Sequence, residues 1–239
     1  MNSTNSTDSI TRLIVEEAEK EGNLLVGFAR LNEEKQSFDP EISNSSANLP
    51  FAISLALPLN RQVLQTITDH PTVIYKQHYQ QANYLLDRAS LRIAQFLEKE
   101  GYRSLPIPAS IYTSREDQRA HLNHREIAFQ AGIGWWGKCN LIVHPRFGAG
   151  IRLATVLTDL PFDSATLKGP TTSDGCGECR ACSDACPAHA IGKDISEFNR
   201  SACFAQIREF ERKVIGVGIC GICVRACREA RQKKVEDKG

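Results

Sequence analysis

The chain has a single methionine, Met1, among its 239 residues, so an axial methionine ligand to a metal is not expected. It has almost no excess of charge. Lysine and arginine total 29 against 28 aspartates and glutamates, a net charge of +1. No strong field toward nucleic acid or a membrane surface follows, and neither is expected as a partner. No apolar run reaches the length of a bilayer span. The start, Met1 to Ser9, is polar and rich in Asn, Ser and Thr, without the apolar stretch of a secretory signal. The expectation is a soluble protein in a reducing cytoplasm.

Cysteine is what the chain has in a pattern. Eight of its nine cysteines are in play. The first run is Cys176-x2-Cys179-x2-Cys182-x3-Cys186-Pro187, and the second is Cys220-x2-Cys223-x3-Cys227, with Cys203 between them. The first run is the bacterial ferredoxin spacing for 4Fe–4S ligation, in which the fourth cysteine serves the other cluster. By that crossing rule one cubane takes Cys176, Cys179, Cys182 and Cys227. The other takes Cys186, Cys203, Cys220 and Cys223. Two competing readings are structural zinc, which also uses CxxC pairs, and disulfides, which need an oxidising compartment. Cys139 stands outside both runs and reads as a buried free thiol.

The remaining residues predict an α+β chain. Thr11 to Glu21 reads as a helix that Ser9 could cap. Asn23 to Leu31 suits a buried strand, and Glu33 to Leu49 a surface loop. Phe51 to Leu57 is the clearest strand, closed by Pro58. Tyr79 to Glu100 is a long helix ended by Gly101. Leu105 to Ile111, with its prolines, suits a strand or extended edge. His124 to Gln130 reads as a helix. Leu141 to Val143 and Ile151 to Thr158 are expected to form a strand pair joined through the His144 to Gly150 turn. Composition shifts after Pro161, where Ser164 to Gly175 reads as a small-residue linker. The expected organisation is a disordered start over 1–10, an α+β domain over 11–163 and a ferredoxin-type two-cluster module over 164–239.

The centre of the chain reads Ala131-Gly132-Ile133-Gly134-Trp135-Trp136-Gly137-Lys138-Cys139-Asn140. Three glycines so close together let backbone bend sharply or approach a flat ligand. Such a cluster is a turn or a cofactor loop, and spacing alone leaves both open.

On these residues the chain resembles the superfamily of epoxyqueuosine reductases and reductive dehalogenases. The resemblance rests on AGIGWWGK at Ala131 to Lys138, then HPRFG at His144 to Gly148, RLATVLTDLP at Arg152 to Pro161 and FAISLALPL at Phe51 to Leu59. The double cysteine pattern completes it. The chain looks like a short form, without the carboxy-terminal helical repeat that many of those reductases carry. The resemblance implies a nitroreductase-like, cobalamin-binding type of domain followed by the two-cluster module. It implies that clusters pass electrons to a bound corrinoid, which reduces a small molecule or modified nucleoside. It further implies a low-potential donor such as a ferredoxin or flavodoxin. Gly132, Gly134, Trp135, Gly137, Lys138, Asn140 and Arg152 are the cofactor-binding residues that follow from the motif match.

Tyr79, Tyr112, Asp117 and His124 are the candidate proton donors. The acid of the D-S-A-P segment of epoxyqueuosine reductases aligns with Gln118, and Arg115 to His121 lacks that segment. Each candidate has a plain structural reading as well: a hydrogen-bonded tyrosine, a solvated loop carboxylate, a packed imidazole. Arg152 and Asp159 could simply pair with each other. Three functions follow: a corrinoid-dependent reductase, an electron carrier without its own substrate, or a protein that reactivates a separate corrinoid protein.

Overall fold

The computed structural model describes residues 4–31, 38–116, 118–170 and 175–236. The chain forms two units that interleave along the sequence. One comprises Met1–Leu57, Asn83–Ile133 and Arg152–Thr171, and the other Pro58–Ala82, Gly134–Ile151 and Thr172–Gly239. The single boundary near residue 163 therefore gives way to several crossings. The cysteine-bearing unit also takes in 58–82 and 134–151, segments whose composition looks like the other unit's.

The first unit is a four-stranded sheet with helices on both faces. Its strands are β1 (Leu25–Arg30), β2 (Phe51–Pro58), β3 (Ser104–Ile107) and β6 (Ile151–Thr158), in the order β1-β2-β6-β3. β1 and β2 are antiparallel with Leu25 opposite Ala56, and β3 and β6 are antiparallel with Ser104 opposite Thr158. The side-chain period of two assigns the faces. Ile53, Leu55, Ala154 and Val156 point to one side. There they meet Ile10, Ile14 and Ala18 of α1 (Thr4–Glu19), and Leu86, Ala89, Ile93 and Leu97 of α4 (Val73–Lys99). Ala52, Ile107 and Leu157 point to the other, against Ile42 of α2 (Pro40–Ser46) and Ile127 of α5 (His124–Gln130). Burial on both faces explains why β2 and β6 read as nearly continuous apolar runs. β3, with Pro106, lies at the sheet edge, where a missing N–H is tolerated.

The helix ends follow from local chemistry. Gly101, at φ 88°, ends α4. Tyr102 N–H reaches the Leu97 carbonyl and Gly101 N–H the Glu98 carbonyl, a Schellman closure. Asn123 caps α5 through its side-chain oxygen and Arg125 N–H.

Three expectations are corrected. The disordered start is overturned from Thr4 onward, because α1 begins there and its buried stripe reaches back to Ile10. Within the expected 33–49 loop lies α2, nucleated by the Asp39 cap and Pro40 in the first turn and anchored by buried Ile42. The expected strand pair also fails. β5 (Ile142–Val143) pairs with β4 (Trp135–Trp136) instead, and β6 joins the main sheet. The reason is local: His144 and Gly148 exchange backbone hydrogen bonds of 2.9 Å and close the turn on itself.

Candidate metal centre

The second unit gathers the thiols. The Cys176 loop turns on Gly177, at φ 47°, with Cys179 N–H bonded to the Cys176 carbonyl at 3.0 Å. Cys182 lies in α6 (Ala181–Ala185) and Cys203 in α7 (Arg200–Phe210). Cys223 and Cys227 share one face of α8 (Ile222–Glu236), one turn apart.

One cavity of this unit is lined by Cys176, Cys179, Cys182 and Cys227, with Trp135, Lys138, Val143 and Arg231 among its walls. The Cys227 thiol is pushed up to about 12, first by burial and then by the nearby thiols of Cys182, Cys176 and Cys179, against an opposing hydrogen bond from Ala149. Cys186, Cys203 and Cys220 form a second neighbourhood. Burial, then Cys203 and Cys186, raises Cys220 to about 11, and burial followed by Cys186 raises Cys203. Cys223 lies against Cys139. Buried thiols facing one another resist ionisation; iron at the centre would supply the missing positive charge and deprotonate them.

Donors to sulfur are already in place. The Trp135 indole N–H reaches Cys176 Sγ at 3.4 Å, Ala149 N–H reaches Cys227 Sγ at 3.3 Å, and Ala190 N–H reaches Cys186 Sγ at 3.4 Å. Hydrogen bonds of this kind set the potential of a thiolate-bound cluster. The thiols thus fit iron–sulfur ligation by number, spacing and surroundings.

The motif glycines have a packing role within the units. A Cβ on Gly134 would stand 2.3 Å from the Val143 carbonyl oxygen, and one on Gly137 would stand 2.5 Å from Val143 Cγ2. Both are small so that β4 and β5 can close. Gly132, at φ 70°, belongs to the first unit, where a Cβ would meet the Gly169 carbonyl at 2.9 Å. Trp135 packs its indole on Gly175 and beneath the Arg231 guanidinium, 4.9 Å from the ring centre. Lys138 Nζ donates to the carbonyls of Gly177 at 2.7 Å and Cys179 at 3.3 Å, so it clamps the first cysteine loop. Asn140 sits at φ 56° in the turn between β4 and β5, its N–H bonded to the Gly137 carbonyl. Arg152, in the first unit, donates to Asn83 Oδ1 at 3.1 Å and to the Ala109 carbonyl at 3.4 Å. It does not pair with Asp159, which takes Arg103 at 2.8 Å.

The candidate acids do not meet within one unit. Tyr79 is half-buried in the second, its ring 6.3 Å from that of Tyr75. Tyr112 is exposed in the first. Asp117 lies outside the described residues. His124 is held at both ring nitrogens, by Thr155 Oγ1 at 2.8 Å and the Pro108 carbonyl at 2.9 Å. That arrangement suits a neutral ring with Nε2–H donating to Pro108 and Nδ1 accepting from Thr155. Burial is the main cause of its lowered pKa, about 4, and Arg152 and His121 add to it against the Pro108 bond.

Sequence reasoning passed over Ala149, Gly175, Arg228 and Arg231. Arg231 falls one helical turn after Cys227, which was the available signal. Cys139 is a buried free thiol, as expected, and it lies in hydrogen-bond contact with the thiols of Cys182 and Cys223. The Cys182 bond lowers its pKa, but the Cys223 bond, burial and neighbouring thiols raise it, and the net is well up.

Against known proteins, the chain is 29% identical over 171 residues to epoxyqueuosine reductase of Bacillus anthracis, covering 71% of this chain and 42% of that protein. In structure it is similar to a reductive dehalogenase described with a mechanism for B12-dependent dehalogenation, with a TM-score of 0.68, 16% identity, and coverage of 90% of this chain and 31% of that one. It is also similar to an epoxyqueuosine reductase bound to an epoxyqueuosine-modified tRNA-Tyr stem loop, with a TM-score of 0.61, 20% identity, and coverage of 95% and 66%. The chain is thus similar to members of the epoxyqueuosine reductase and reductive dehalogenase superfamily. No family model matches it. The chain spans about two fifths of the length of the Bacillus anthracis member of that superfamily. No described helix is long and apolar enough to cross a membrane.

Proposed function

We propose that this chain is an iron–sulfur oxidoreductase of the cytoplasm whose second unit holds two 4Fe–4S clusters, one on Cys176, Cys179, Cys182 and Cys227 and the other on Cys186, Cys203, Cys220 and Cys223. One observation carries the reading: four cysteines drawn from both sequence runs line a single cavity, whose wall also includes Cys139. The all-cysteine donor set and the C-x2-C-x2-C-x3-C-P run favour a cubane over tetrahedral zinc. When bound, such clusters take up and release one electron each. The chain's own residues supply the rest: Trp135, Ala149 and Ala190 stabilise the ligand sulfurs, and Lys138 holds the first loop closed.

The acceptor of those electrons is proposed from kinship. A B12-dependent dehalogenase shares the fold, and this favours a corrinoid beside a nitroreductase-like domain, with a small molecule or modified nucleoside as substrate. A tRNA stem loop on a related reductase keeps nucleic acid open as the carrier of that substrate, although the net charge of +1 does not itself favour one. The motif glycines, Lys138 and Arg152 have packing and hydrogen-bond partners within their own units, and a bound corrinoid would supply low-valent cobalt chemistry beside them. Tyr79, Tyr112, Asp117 and His124 stay candidate proton donors, His124 being the least free of them to act. The second reading is an electron carrier or corrinoid-reactivating partner. It is favoured by a thiol site whose surroundings are complete within one unit.

Anaerobic purification followed by iron, sulfide and cobalt analysis tests the proposal. About eight irons per chain with a rhombic low-potential EPR signal on reduction are expected. Zinc or no metal in oxygen-free material would overturn it. Cobalt retained, or a changed visible spectrum on titration with base-off cobalamin, separates the reductase from the carrier.

A further inference from the structure

We propose that Arg61, Arg146, Arg228 and Arg231 form the docking face for an acidic one-electron carrier protein, an inference that rests on the cluster reading above. All four belong to the second unit. Arg228 and Arg231 follow Cys227 on α8. Arg228 Nη1 donates to the Arg146 carbonyl at 3.2 Å, and its guanidinium lies 4.6 Å from the Phe147 ring centre. Arg231 donates to the Pro145 carbonyl at 3.2 Å and the Gly175 carbonyl at 3.3 Å, with Trp135 under its plane. Arg146 lies 5.3 Å from Phe147, and its side chain is exposed, as is that of Arg61. Arg61 and Arg146 are near enough for their charges to bear on Arg228, and Arg146, Arg228 and Arg231 all bear on His144.

Like charges gathered this way repel, and a folded chain normally interleaves carboxylates among them. Here carbonyls and aromatic faces hold the guanidinium groups of Arg228 and Arg231, Arg146 lies by the Phe147 ring, Arg61 is exposed beside them, and among the described residues no carboxylate pairs with any of the four. Those supports orient the groups without neutralising them. The result is a local positive face on a chain of net charge +1. Fixed planar guanidinium groups suit carboxylates, which they bind in bidentate fashion.

Its position selects the partner. Arg228 is the next residue after Cys227, and Arg231 stacks on the indole that donates to Cys176 Sγ. A protein seated here therefore lies against two ligands of the first thiol set. Phosphates would suit the same arginines, but an RNA gains nothing from that adjacency, whereas an electron donor requires it. The step is a single outer-sphere transfer. A reduced acidic 2Fe–2S ferredoxin loses one electron and is oxidised, the first cluster gains that electron, and no bond or proton moves.

The test is stopped-flow reduction of the reconstituted full-length chain by an acidic plant-type ferredoxin, beside photoreduction by deazaflavin. The variant is R61E/R146E, whose altered side chains touch no thiol. The second-order rate with ferredoxin should fall about tenfold or more at low salt, wild-type rates should fall as salt rises, and deazaflavin reduction should not change. Unchanged ferredoxin rates in an iron-loaded variant would overturn the docking face alone. Loss of tRNA stem-loop binding in the variant with unchanged ferredoxin rates would assign the face to RNA and overturn it too. Wild-type protein without iron would sink the cluster reading and the docking face together. Should charge reversal prevent folding, R61Q/R146Q with the same readouts replaces it.

Discussion

At the scale of single residues, the chemistry is decided by what each side chain has already been given to do. His124 is held neutral by two partners and by burial, and this fixes a pH dependence. The unfolded imidazole titrates near ~6.5 and the folded one near about 4. Between those values the unfolded chain binds more protons, so stability present above the upper value is lost as pH falls through the window. At pH 5 the loss attributable to this ring is roughly 2 kcal/mol. Urea titrations at pH 7 and pH 5 should show it in the wild type and show it reduced in His124→Gln. Trp135→Phe removes one N–H from Cys176 Sγ while keeping most of the packing. The potential of the first cluster should fall, because that bond stabilises the more negative reduced state, and EPR-monitored redox titration reads the shift. Cys227→Ser should reduce bound iron from about eight to about four per chain, measured by colorimetric iron analysis.

At the scale of elements, the β4–β5 hairpin ties the central motif to the thiol site. Gly134→Ala forces a methyl group into the Val143 carbonyl. The backbone must shift, at a cost of about 3 kcal/mol or more. Denaturant midpoints should drop, and iron retention with them, since the same hairpin carries Trp135 and Lys138. The helices show how far the sequence could be read. α4 was legible because Leu86, Ala89, Ile93 and Leu97 repeat at helical spacing and Gly101 stops them. The two cysteine runs were legible because their spacing is local, whereas Cys203, 17 residues from Cys186 and from Cys220, belongs to neither run. α2 was not, because a seven-residue helix with one buried isoleucine leaves almost no periodic signal. The roles of Lys138 and Arg231 were hidden for another reason. Their carbonyl partners lie 39 and 56 residues away along the chain, and no local pattern encodes them. The motif glycines were visible, but their purpose depends on Val143, which only the hairpin register reveals.

At the scale of the whole molecule, the two units are stabilised by different means. The first has a continuous apolar core on both sheet faces. In the second, cysteines make up much of the buried cluster around Trp135, Val143 and Ile191. Removing iron should therefore act unevenly. Hydrogen exchange after anaerobic chelation is expected to show lost protection in α6 and α8 and retained protection in β2, β6 and the Asn83-to-Lys99 part of α4. Uniform loss across both units would contradict the division of labour. The order of thiols along the chain carries a timing consequence. On the proposed assignment the first site would draw three ligands from one short loop and its fourth from Cys227, which emerges from the ribosome only after Cys186, Cys203, Cys220 and Cys223 have all been made. The second set would be complete once Cys223, in the first turn of α8, is exposed, and the first only when Cys227 follows one turn later. On that assignment the second site can fill before the first, and a pause in synthesis within α8 would leave the loop of Cys176, Cys179 and Cys182 waiting for its last partner.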